Sequence, residues 1–85
     1  MATIKIYVVS YIGNSMKYKG FRTTLTATSK RGAVEKFYES YLNYNYFPQE
    51  DGTIKDCDGD IIAYPDENEI RFDGGYFTAD EDLPI

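Results

Sequence analysis

A single cysteine, Cys57, and no histidine leave this 85-residue chain without the usual staples of a small fold. No internal disulfide can form, and the commonest metal ligand is missing, so the fold must hold together by packing alone. The material for that packing is aromatic: nine Tyr and five Phe, supplemented by Ile, Val and Leu. Rings bury a large area per residue. A chain this short supports one core, which predicts a single domain over residues 1–85.

The same two features limit function. Without His there is no ordinary general base near neutral pH, which argues against a zinc finger, a cysteine protease or a His-dependent hydrolase. Cys57 lies between Asp56 and Asp58, with no His in the chain to activate its thiol as a nucleophile. Neither the phosphate-loop spacing nor the dinucleotide fingerprint occurs around Gly59 or Gly74-Gly75. The chain is therefore read as non-enzymatic, with no cofactor and no metal. A lone thiol suits a reducing, cytoplasmic setting. No run approaches the length of apolar sequence that a membrane helix needs, and Met1 to Ser10 reads as a strand rather than a signal peptide.

Periodicity supplies the elements. Ile4 to Ile12 is rich in β-branched and aromatic residues and reads as a strand, with Ile4, Ile6 and Val8 on one face and Lys5, Tyr7, Val9 and Tyr11 on the other. Phe21 to Ala27 alternates in the same way, and the polar connection from Gly13 to Gly20 predicts an antiparallel hairpin. Thr28 or Ser29 can cap a helix from about Lys30 to Asn43, whose apolar face is Ala33, Val34, Phe37, Tyr38, Tyr41 and Leu42. Pro48 closes this region. The remainder reads as a meander: Thr53 to Cys57 and Asp60 to Tyr64 around an Asp58-Gly59 turn, Glu69 to Phe72, and a short strand from Tyr76 to Thr78. Residues 79–85 read as a flexible acidic tail.

These elements predict an α+β fold in the order β-β-α-β-β(-β), with one helix packed on one face of an antiparallel sheet. The uncovered face of the first hairpin is expected to carry Tyr7, Val9, Tyr11, Arg22, Thr24 and Thr26.

Charge divides the chain. Residues 1–49 carry seven Lys/Arg against two Glu, whereas residues 50–85 carry two Lys/Arg against twelve Asp/Glu. Asp56, Asp58 and Asp60 have the alternation of a calcium loop. Aligning Gly59 with the invariant glycine of that loop, however, puts Ile54 and Pro65 where carboxylates are required. The acids fall in turns and on expected exposed edges, and the sequence gives no sign of a pocket that would tune an acid–base pair. What they can do is present negative charge to a basic partner. The candidate partner-binding residues are Asp56, Asp58, Asp60, Asp66, Glu67, Glu69 and Asp73, with Tyr64 and Tyr76 as aromatic anchors.

The chain resembles the small acidic proteins that phages and mobile elements direct against host defence, the anti-CRISPR proteins and the DNA-mimicking antirestriction proteins. Ile4-Lys5-Ile6-Tyr7-Val8 with its loop to Gly20 is similar to the start of ArdA-type antirestriction proteins. The chain is much shorter than that family and gathers its acids in the second half, so no functional residue transfers by motif. The resemblance implies an inhibitor, viral in origin and acting in the host cytoplasm. It would block the nucleic-acid-binding surface of a host defence protein by acidic DNA mimicry, with no membrane involved.

Two other readings stand beside it. A nucleic-acid-binding accessory domain would use Lys5, Lys17, Lys19, Arg22, Lys30 and Arg31 beside Tyr7 and Tyr11; the acidic excess makes direct nucleic-acid binding the poorer fit. A self-associating protein would pair as a homodimer through an edge strand or the open sheet face.

Overall fold

The computed structural model describes residues 3–82. Strand β1 (Lys5–Ile12) leads through a folded loop into β2 (Arg22–Ala27), and helix α1 (Lys30–Tyr41) follows. A short 3-10 turn (Asn43–Asn45) precedes β3 (Phe47–Pro48), β4 (Ile54–Lys55), β5 (Ile61–Ala63), β6 (Ile70–Phe72) and β7 (Gly75–Glu81). The fold is α+β: one helix and two antiparallel sheets, ordered β2-β1-β7-β6 and β3-β4-β5.

The helix starts where a cap is available. Ser29 is extended, and its hydroxyl accepts from the Gly32 amide at 2.9 Å, satisfying one first-turn donor. Leu42 ends it as C-cap, its amide still bonded to the Tyr38 carbonyl at 2.9 Å. Ala33, Val34, Phe37 and Tyr38 are buried against the larger sheet. Tyr41, expected among them, is exposed but stacks on Phe37 with ring centroids 5.3 Å apart.

At the centre lies Phe77 of β7, fully buried, with the rings of Tyr11, Tyr18, Phe37 and Tyr38 all within 6 Å of it. Burying such a ring contributes about 1.5–3 kcal/mol. Tyr18 enters this cluster from the β1–β2 loop, so that connection is folded onto the core rather than left in solvent.

Three expectations are corrected. First, residues 79–81 are not tail. They continue β7, which pairs antiparallel with β1 (Tyr7↔Glu81, Val9↔Ala79, Tyr11↔Phe77), and Asp82 still donates to the Ile6 carbonyl at 2.8 Å. The alternation of Phe77 and Ala79, both buried, carries the strand past the point where acidic composition suggested its end. Residues 83–85 lie outside the described residues.

Second, the faces of β1 are exchanged. Tyr7, Val9 and Tyr11 are buried under the helix, and Ile4, Ile6 and Ile12 face outward. The ladder sets this, because Tyr7 lies opposite Leu25 and Val9 opposite Thr23, and opposed residues share a face. Tyr11 also gains partners inside: its hydroxyl meets the carbonyls of Phe72 (3.1 Å) and Asp73 (2.9 Å) and the Ser15 amide (3.3 Å). On β2 the outward row is Arg22, Thr24 and Thr26, as expected.

Third, the meander is not one sheet. The Arg71 guanidinium donates to the Ile62 carbonyl at 3.1 Å, so a side chain instead of a β6 amide satisfies β5 on its facing edge. The three short strands form a separate small sheet, β3 included, which alternation over two residues could not reveal.

Candidate partner-binding surface

Two turns carry most of the candidate carboxylates. Between β4 and β5 the Asp56 amide donates to Asp60 at 2.9 Å, closing a three-residue connection with Gly59 at φ +86°, not the two-residue turn expected from Asp58-Gly59. One carboxylate oxygen of Asp56 accepts from the amides of Asp58 (2.9 Å) and Asp60 (3.0 Å), so this side chain builds the turn. The side chains of Asp58 and Asp60 project from it, both residues being exposed. Between β6 and β7, Asp73 (φ +46°) and Gly74 (φ +74°) occupy the two left-handed positions of a tight hairpin whose flanking residues, Phe72 and Gly75, pair.

Residues of both turns line one open cleft of about 640 Å³. Asp56, Asp58 and Asp73 line it together with Tyr76, Arg71 and Asn45. A smaller depression of about 130 Å³ is lined by Glu67, Glu69, Arg71 and Tyr76, so Arg71 and Tyr76 are common to both. Six of the nine candidate residues thus gather around two adjoining clefts. Asp60, Tyr64 and Asp66 line neither.

Ion pairing separates the acids by role. Glu67 is engaged in structure: it accepts from the Tyr64 amide at 3.1 Å and meets Arg71 at 2.9 Å, and these bonds, the amide first, hold its carboxyl below the usual range. Tyr64 carries the Arg71 guanidinium over its ring, 5.8 Å from the centroid. Arg31 of α1 donates to the carbonyls of Tyr64 (2.6 Å) and Glu67, clipping the turn to the helix. Tyr64 and Glu67 are therefore struts of the fold, already occupied by internal partners. Asp56, Asp58, Asp60, Asp66, Glu69 and Asp73 form no ion pair among the described residues.

The basic first half neutralises a different part of the second. Lys5 meets Glu81 at 3.3 Å and Lys30 meets Asp80 at 3.9 Å, both on β7 and away from the turns. Among the described residues, no three carboxylates or thiols cluster as a metal site would require. No helix is long and apolar enough to cross a membrane.

Two residues of the site escaped the sequence. Arg71 is its only lining cation among the described residues, and its spacing from Glu67 signals nothing outside a helix. Asn45 is buried in the 3-10 turn, where its side-chain oxygen accepts from the Cys57 amide at 3.4 Å and supports the acidic hairpin from behind. Nothing in its neighbourhood in sequence marks it. No protein family, curated protein or solved structure matches this chain.

Proposed function

We propose that the chain is a non-enzymatic binding protein that offers its acidic turns to the cationic surface of a nucleic-acid-binding partner, and so acts as an inhibitor of that partner. The observation that supports this reading is the cleft in which Asp58 and Asp73, both free of ion pairs among the described residues, stand beside the half-buried ring of Tyr76. A Lys or Arg side chain entering the cleft would find carboxylates on two hydrogen-bonded turns and an aromatic face to lie against. Asp60, Asp66 and Glu69 extend the negative field around it and would speed encounter with a basic groove. In this reading the partner is a component of a host defence system whose DNA-binding groove accepts carboxylates in place of phosphates, in the host cytoplasm. The alternative of direct nucleic-acid reading loses its support, because Tyr7 and Tyr11, the expected stacking pair, are buried in the core.

The test is competition. Purified restriction and CRISPR effector complexes are titrated with the chain while their retention of duplex DNA is followed, at roughly 50 and 200 mM salt. Loss of DNA retention that fades at the higher salt is expected, with Asp58→Lys/Asp73→Lys inactive and folded. Inhibition untouched by that double reversal would refute the acidic cleft as the site.

A further inference from the structure

Among the described residues, only one face of β1 is covered. Tyr7, Val9 and Tyr11 lie under the helix, whereas Ile4, Ile6 and Ile12 on the opposite face remain 71%, 50% and 49% exposed, with Val8 between them. A strand solvated on one side ordinarily alternates to polar residues there. Register fixes what surrounds this strip. On β2, Arg22 lies opposite Ser10 and Thr24 opposite Val8; on β7, Thr78 lies opposite Ser10 and Asp80 opposite Val8. The apolar strip therefore has a cation on one flank and an anion on the other. Arg22 makes no ion pair among the described residues, and Asp80 has only the 3.9 Å approach of Lys30, with its own side chain 79% exposed.

We propose that this face is the docking surface for a second copy of the chain, related to the first by a two-fold axis parallel to β1. A half-turn about that axis lays β1 over β1 and brings β2 of each copy over β7 of the other. The isoleucines meet along the centre, and each Arg22 faces the Asp80 flank of its partner. This happens twice, as a two-fold interface demands. The other in-plane axis, running across the strands, would set Asp80 against Asp80 and leave Arg22 without an anion, so the charge pattern selects the orientation as well as the occupant. The face measures roughly 19 by 23 Å at ordinary strand spacing and rise, a footprint suited to a reversible dimer rather than an obligate one. Because the axis follows the strands, the β6–β7 turns of both copies emerge at the same end of the dimer, one on each side.

Sedimentation equilibrium over a micromolar to millimolar series tests this. A monomer–dimer equilibrium is expected. Ile6→Lys is expected to abolish it, and Arg22→Asp to raise the dimer Kd about tenfold by setting like charges together. Arg22→Asp combined with Asp80→Arg is expected to regain most of that loss. Circular dichroism and melting of each variant establish that the monomer fold is kept. A strict monomer at millimolar concentration overturns the proposal. So does a dimer that survives Ile6→Lys, or a double exchange that recovers nothing. None of these results depends on whether the acidic cleft binds a partner.

Discussion

The tyrosines of this chain divide between those whose hydroxyls fasten elements together and those that fill space. Tyr38 reaches from the helix to the Arg71 carbonyl at 2.8 Å, and Tyr46 reaches back to Glu35 of the helix at 3.2 Å. Burial raises both hydroxyls; for Tyr46, burial and then the Glu35 charge push it from 10.0 up to about 12. The folded state thus favours the protonated phenol. That contribution is whole below pH 10, where the unfolded residue is still protonated, and is lost as pH rises from about 10 towards 12. Melting temperature is therefore expected to fall over this interval, and Tyr46→Phe, which has nothing to ionise, is expected to fall less steeply. Parallel decline of the two proteins in thermal melts at matched pH would remove Tyr46 from the account.

Between elements, the backbones come close where the end of β1 meets the start of β7. A side-chain carbon on Gly75 would stand 2.3 Å from the Ile12 carbonyl and 2.6 Å from the Gly13 Cα, so this crossing admits no larger residue. Gly75→Ala is expected to destabilise the fold by about 1–3 kcal/mol, the cost of forcing extra volume into a packed site, read from chemical denaturation. An unaltered midpoint would mean the strands separate there at no cost. The same crossing shows where sequence reasoning reached and where it stopped. The Ser29 cap and the periodicity from Ala33 to Leu42 announced the helix, and Asp73-Gly74 announced its turn, because these signals are local. Which face of β1 turns inward was not local: Ile4 to Ile12 is apolar on both sides, and only pairing with Leu25 and Ala79 decides it. The acids of the site were legible as turn residues. Their gathering around two adjoining clefts was not, because it depends on Arg71 of β6 reaching the Ile62 carbonyl of β5, and on Asn45 backing the hairpin at Cys57.

At the scale of the molecule, the first and last strands meet in the middle of the main sheet. β1 and β7 are its central pair, although they are separated by nearly the whole sequence, and the helix packs across both. Such non-local pairing must close a long loop before it gains any contact, so folding is expected to be a single late event rather than hairpin by hairpin. It also mixes the charges of the two halves, pairing Lys5 and Lys30 with Glu81 and Asp80 and leaving the unpaired acids to the turns. A chain ending at Thr78 would lose the part of β7 that lies opposite Tyr7, Val8 and Val9, including Ala79, which is 2% exposed. That truncation is expected to abolish cooperative melting in near-ultraviolet circular dichroism. Ala79→Asp, which buries an unpaired carboxylate at the same place without shortening the chain, is expected to do the same. Melting of either variant like the full chain would return residues 79–81 to the status of a dispensable tail, and would sink the idea that the core is closed by the first and last strands.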